Sequence, residues 1–213
     1  MLAAIIQTSR AQCPVFFNCV NKTVLALLLM LAASTAVAET QTSSETLKVY
    51  DDWGGDFGLT DHNGFPLRLS DFAGKVVLLS FGYTHCPDVC PATMFTMKRV
   101  IKALGDAADK VQILFVTLDP ERDKPERLRA YMEYFDPGFI ALGGSVSEIK
   151  KVTGLYGIRF EKEEADAEGN YSIAHSAVIY LIDQQGRIRV FFKVNAPAGT
   201  IADGVRMLLE SSE

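Results

Sequence analysis

Val76-Val77-Leu78-Leu79-Ser80-Phe81-Gly82-Tyr83-Thr84-His85-Cys86-Pro87-Asp88-Val89-Cys90-Pro91 decides how this chain is read. The apolar run from Val76 to Phe81 reads as a buried strand that ends at Gly82. Beyond Pro91, the residues Met94, Met97, Val100, Ile101 and Leu104 recur at three- and four-residue intervals, the apolar stripe of a helix that Gly105 stops. Pro91 must fall in or near the first turn, where its missing N–H breaks no backbone bond. Two cysteines therefore stand where a strand passes into a helix. Free amides and the positive end of the helix dipole favour a thiolate there, raising reactivity and metal affinity. Four residues apart on a helical turn, the sulfurs face one side. The spacing suits sharing one soft metal ion or closing a disulfide.

Downstream, Val111 to Leu118 reads as a second buried strand, running into Asp119-Pro120-Glu121-Arg122-Asp123-Lys124-Pro125. A helix then reaches about Phe135, with Asp123 and Glu126 in capping-box spacing. Phe139 to Leu142 is a short strand, and Ser145 with Glu148 opens a helix carrying Val146, Ile149, Val152 and Tyr156 on one side. The charge run Glu161 to Glu168 reads as a solvated hairpin or loop. Ala177 to Ile182 and Arg187 to Phe192 form a strand pair about the turn Asp183-Gln184-Gln185-Gly186, and a last helix runs from about Pro197 to Leu209. Upstream, Gly54 to Arg68 holds two strand-like runs around Asn63-Gly64, a hairpin signal that leaves His62 as a solvated turn residue. Ser70 to Gly74 is a single helical turn capped by Gly74.

Strands and helices alternate, then a hairpin precedes the last helix. That order gives an α/β fold with a mixed central sheet and helices on both faces, the order of a thioredoxin-like fold with an added N-terminal hairpin. Chemistry in such sheets collects at the carboxyl ends of parallel strands, so Cys86 and Asp119 should be neighbours.

A chain of 213 residues, 48% hydrophobic and 22% charged, has the composition of one globular domain. Its first 38 residues contain Arg10 and Lys22 but no acid, and end in an apolar run from Thr23 to Ala38 that closes on Ala36-Val37-Ala38. This is the order of a secretory signal cleaved after Ala38, and the run is shorter than the roughly 20 residues of a membrane span. Residues 1–38 are thus a signal peptide, or an anchor if uncleaved; 39–49 form a polar linker and 50–213 the folded domain. Cleavage would take the net charge from −5 to −7 and remove Cys13 and Cys19. An acidic chain does not suit nucleic acid. Cys86 and Cys90 would remain in an oxidising compartment, yet a bridge over four residues closes too short a loop to stabilise a domain of this size. The pair is read as functional.

His175, in Ser172-Ile173-Ala174-His175-Ser176-Ala177, immediately precedes the strand of the terminal hairpin. In thioredoxin-like proteins a cis-proline usually stands there, facing the redox cysteines. An imidazole facing two thiolates makes a soft three-donor set suited to Cu(I). The set also admits zinc with a water, and a histidine bonded within the sheet is the plain alternative. His85 adjoins Cys86, but neighbouring side chains on an extended segment point opposite ways. Met94 and Met97 fit the core stripe better than a thioether site.

Gly54 to Phe57, Gly82 to Pro91, Thr117-Leu118-Asp119-Pro120-Glu121-Arg122-Asp123 and His175 together resemble the Sco/SenC family, over nearly the whole globular part. The resemblance implies copper, as Cu(I), Cu(II) or both, held by Cys86, Cys90 and His175. It implies a role in building the copper centre of cytochrome c oxidase on the outer face of a bacterial inner membrane. Asp119 and Asp123 match an acidic loop near the metal in that family, with helix capping the alternative for Asp123. The implied partners are the copper-accepting subunit of the oxidase and other periplasmic copper chaperones or thiol reductants, with the membrane close by. Most members keep an anchor, whereas this leader reads as cleavable. Two functions stay open: a copper metallochaperone, or a thiol-disulfide oxidoreductase that keeps acceptor cysteines reduced. A peroxiredoxin-type peroxidase fits poorly, because the P-x-x-x-T-x-x-C pattern fails at Tyr83 and at Pro87.

Overall fold

Strand β3 (Val76–Gly82) is buried along its whole length, as an apolar run with both faces covered must be. The structure, a computed structural model, describes residues 47–211. The leader read at 1–38, with Cys13 and Cys19, and the linker up to residue 46 lie outside the described residues. Beside β3, strand β4 (Val111–Thr117) runs parallel, Val76 opposite Val111 and Gly82 opposite Thr117. Strand β5 (Ile140–Gly143) runs parallel to β4. The two crossovers are α1 (Val89–Leu104) and α2 (Pro125–Phe135). On the far side, β8 (Val178–Ile182) and β9 (Ile188–Lys193) add antiparallel strands, while β1 (Gly58–Asp61) and β2 (Pro66–Arg68) close the other edge. The sheet order is β2-β1-β5-β4-β3-β8-β9.

The strand period of two splits the apolar residues between two cores. Val76, Leu78, Ile113, Phe115, Ile179 and Leu181 pack under α1, α2 and α4 (Ala198–Glu210). Val77, Leu79, Phe81, Leu114, Val116 and Tyr180 face the opposite way, against α3 (Val146–Leu155), Phe57 and Leu59. Met94 and Met97 are fully buried in the first of these cores, where the helical stripe put them. Among the described residues, no helix is long and apolar enough to cross a membrane.

Two local expectations change. The Asn63-Gly64 turn forms, with Gly64 at φ +89° and the Asp61 carboxylate accepting the Asn63 and Phe65 amides at 2.8 Å each. His62, however, is 7% exposed rather than solvated. Its amide continues the pairing of β1 with β5 by donating to the Ala141 carbonyl, and its Nδ1 accepts the Ala141 amide at 3.0 Å. Burial lowers the pKa of that imidazole, which therefore serves as a neutral acceptor.

The Ser145–Glu148 capping box forms as read, but Asp123 does not cap α2. Lys124 is the N-cap, because the residue before Pro125 is held extended, at ψ 161°. The carboxylate of Asp123 is thereby left to turn inward. The charge run lies, as read, in a solvated hairpin, the exposed end of a two-stranded ribbon of β6 (Phe160–Lys162) against β7 (Ile173–His175). Three-residue strands are too short to show a period. The ribbon matters because its last residue is His175, paired with Phe160.

Candidate metal centre

The ends of β3 and β4 are tied by the Leu118 amide, which donates to the Gly82 carbonyl at 2.7 Å. Just beyond, Asp123 gathers three donors onto a carboxylate only 3% exposed. The Thr84 amide donates at 2.9 Å, the Thr84 hydroxyl at 2.6 Å and the Thr117 hydroxyl at 2.6 Å. Charge-assisted bonds of this kind are about twice as strong as neutral ones. They fix the short segment from Tyr83 to Cys86 against the end of β4.

Cys86 is half-buried in the loop, and Cys90, the second residue of α1, is buried; both are free thiols. The Cys90 amide donates to the Cys86 sulfur at 3.4 Å. The Cys90 thiol also donates to Cys86, and with the Cys90 and Asp88 amides and the nearby His175 it draws the Cys86 thiol down to about 5, against the cost of burial. The same shared proton, together with burial, pushes Cys90 far up. At neutral pH the pair therefore holds one charge, on the more accessible sulfur. Gly82 makes the arrangement possible: a Cβ there would stand 2.7 Å from the Cys90 sulfur and 2.9 Å from the Phe115 ring.

His175 arrives from the ribbon with Nε2 3.8 Å from the Cys90 sulfur. Its Nδ1 lies 3.0 Å from the Ser176 carbonyl. A carbonyl can only accept, so Nδ1 carries the proton and Nε2 presents its lone pair toward the sulfurs. Fixing one nitrogen this way is how proteins orient imidazole ligands. The Tyr83 ring stands edge-on to the imidazole, centroids 6.3 Å apart, and its hydroxyl accepts the Ile173 amide. Cys90 and His175, far apart in sequence, thus meet at the carboxyl end of β3, with the Cys86 sulfur held at the Cys90 amide. Two sulfurs and an imidazole nitrogen with a bare lone pair fit a soft, low-coordinate ion such as Cu(I).

His85 turns the other way. Its Nδ1 sits 3.2 Å from the Thr84 hydroxyl and 3.5 Å from Asp123. His85, Asp119 and Asp123 bring donor atoms within 4.8 Å of one another, but both carboxylates are engaged by protein groups. Asp119 takes the Arg122 guanidinium at 2.5 Å and the Tyr171 hydroxyl at 2.8 Å. Tyr171 is itself sandwiched: Arg122 lies 3.4 Å from its ring centre on an axis of cation–π attraction, and Lys162 3.7 Å. Lys162 continues to Glu121 at 3.0 Å. The two acids therefore act as clasps, Asp123 on the Cys86 loop and Asp119 on the ribbon that carries His175. The sequence assigned no role to Thr84, Thr117, Arg122 or Tyr171. Only the threonine ending an apolar strand hinted at a polar partner.

The asymmetry of the sulfurs gives a measurable pH dependence. In the reduced, metal-free protein, iodoacetamide should modify Cys86 with a rate that stays high from neutral pH down to about 5 and falls below it, as the thiolate is protonated. Cys90 should stay unmodified throughout. Mass mapping across pH 4 to 9 checks this; a rate that rises only above pH 8 would show an ordinary thiol.

Residues 45–210 match the family model described as SCO1/SenC. The chain belongs to the SCO1/SenC family. It is 34% identical over 180 residues to the mitochondrial protein SCO2 homolog of Bos taurus, covering 84% of this chain and 68% of that one. It is 32% identical over 183 residues to an SCO2-like protein of Rickettsia felis, covering 82% and 89% respectively. Among solved structures, Bradyrhizobium japonicum ScoI with copper bound superposes with a TM-score of 0.68 at 39% identity, over 73% of this chain and 99% of that one. As in that SCO1/SenC protein, the fold is thioredoxin-like, and this chain sets its cysteine pair at the junction of a central parallel strand with the helix that follows.

Proposed function

We propose that this SCO1/SenC protein is an exported copper metallochaperone that binds one copper through Cys86, Cys90 and His175 and delivers it to the copper-accepting subunit of cytochrome c oxidase. The observation that carries the reading is the Nε2 of His175, oriented by the Nδ1 contact with the Ser176 carbonyl and 3.8 Å from the Cys90 sulfur, beside Cys86. A relative at 39% identity has been solved with copper bound, which supports the choice of metal. Two sulfurs and one nitrogen satisfy Cu(I) in a low-coordinate site, whereas zinc would need a fourth ligand. Three ligands leave room for an incoming thiolate, so copper can pass by exchange without a free ion. Since Cys86 already carries its charge near neutrality, loading displaces a proton only from Cys90. The leader Thr23–Ala38 supports export to the periplasm, at the outer face of the inner membrane, either released or tethered there.

A second role is favoured by the unequal sulfurs. The Cys86 thiolate could attack a disulfide in the acceptor, forming a mixed disulfide and releasing one acceptor thiolate. Cys90, giving up its proton, then attacks the Cys86 sulfur, closing the Cys86–Cys90 bond and releasing the second acceptor thiolate. Two electrons pass to the acceptor, leaving its cysteines ready for copper. The two roles are compatible and separate on copper.

Anaerobic titration of the reduced protein with Cu(I), against a competing chelator, should saturate at one copper per chain, and excess zinc should not displace it. Saturation at zero, or equal competition by zinc, would defeat the metallochaperone reading.

A further inference from the structure

A groove of about 790 Å³ runs along the exposed side of α1, from the start of the helix to the loop that follows β9. It is lined by the apolar Val89, Phe95, Val194 and Pro197 and by three cations, Lys98, Arg99 and Lys102, against one acid, Asp88, at the start of the helix. Val89 and Phe95 are 40% and 43% exposed. The groove opens from the thiol site: Val89 and Val194 also line the small space between Cys90 and His175. Its charge is set apart from that of the chain. Between Val89 and Leu104 there is no acid, although the whole chain carries −5. Lys98 and Lys102 make no ion pair among the described residues.

We infer that this groove docks an extended, acidic, cysteine-bearing segment of the protein that exchanges metal or thiols with Cys86 and Cys90. The proposal rests on the functional reading above for the cysteine, and on the groove itself for the charge and shape. An acidic partner is repelled by most of this surface and attracted along one line that leads to the sulfurs, so the charge pattern orients the encounter. Exposed apolar side chains beside that line supply the contact area.

The spacing of the partner's groups follows. Lys98 and Lys102 lie eight and twelve residues beyond Cys90, roughly 12 to 18 Å along the helix axis at about 1.5 Å per residue. An extended chain covers that in about four to six residues at roughly 3.3 Å each. The partner's carboxylates should therefore stand about four and six residues from its cysteine, on one face of the extended segment, with apolar residues between.

Binding can be read apart from copper or disulfide chemistry by using peptides with serine in place of cysteine. Peptides of about ten residues would carry two Glu, two Gln or two Lys at about four and six residues from that serine, with valine or leucine at the intervening positions. Against the isotope-labelled protein, the Glu peptide should shift the amides of Val89 to Lys102 and of Val194 to Ala196. It should bind at least about tenfold more tightly than the Lys peptide. Lys98→Glu with Lys102→Glu should remove or invert that preference, and high salt should erase it. Lys98→Gln with Lys102→Gln should give an intermediate result, and unchanged remaining amide signals would show that both variants fold.

Equal binding of the three peptides, shifts confined to other surfaces, or no effect of charge reversal would overturn the proposal. Self-association lost on charge reversal, without peptide selectivity, would assign the groove to a second copy and overturn it as well. Peptide selectivity without copper binding would leave the groove standing and defeat the metallochaperone reading. Copper binding without selectivity would do the reverse.

Discussion

His175→Ala should lower Cu(I) affinity at least about a hundredfold while leaving the fold and the thiols in place. The expectation is large because the imidazole supplies the third donor. Loss of groups one bond removed from a metal costs roughly 10–100-fold, so loss of a direct donor should cost no less. The fold should tolerate the change: the side chain is half-buried, and its Nδ1 bond to the neighbouring Ser176 carbonyl contributes at most about 1 kcal/mol. Chelator competition measures the affinity, and denaturant unfolding measures the stability. The variant also separates the two roles, because Cys86 and Cys90 need no imidazole to exchange electrons with an acceptor disulfide. Undiminished copper binding would remove His175 from the ligand set; undiminished reduction of an oxidised acceptor would keep the second role alive.

Asp123→Ala should act through the opposite property, costing stability rather than a donor atom. The buried carboxylate takes the Thr84 amide and the Thr84 and Thr117 hydroxyls. Its removal strands those donors at about 1–3 kcal/mol for each one that cannot reach water. A total of about 3–5 kcal/mol is expected, since hydroxyls can partly reorient. For a domain of this size that lowers the melting temperature by roughly 10 °C. Asp123→Asn keeps an acceptor and should cost about half. Copper affinity should fall with Asp123→Ala too, because the loop that presents Cys86 loses its anchor. A melting temperature within about 2 °C of the parent would show that Asp123 is not the clasp the geometry describes.

The two variants mark what could be read in advance. The cysteine junction was legible because its signals are local: an apolar run, a glycine, two cysteines at helical spacing, then a stripe. The mixed sheet, with helices on both faces, followed from alternation along the chain. Asp123 was misread as a capping candidate because its spacing to Glu126 is right, and only the extended residue before Pro125 moves the cap to Lys124. His62 was misread because a turn signal says nothing about what the turn folds over. Here it folds against β5, and the ring accepts the Ala141 amide. The charge run was read as a solvated hairpin or loop, but the returning strand Ile173–His175 was not read as one. The ribbon's residues pair with each other rather than with the main sheet, and its alignment is held by contacts of Tyr171 with Asp119, Arg122 and Lys162.

From its residues alone the chain determined most of its elements and its mixed, thioredoxin-like sheet, and it offered three soft donors, because propensity, period and spacing are properties of neighbours. Their convergence was decided elsewhere. Whether an imidazole eighty-five residues beyond Cys90 comes within 3.8 Å of its sulfur, and which sulfur holds the charge, depends on a buried carboxylate, a missing Cβ at Gly82 and a ribbon pinned at a tyrosine. Those are interactions between distant segments, and they exist only once the two cores have closed.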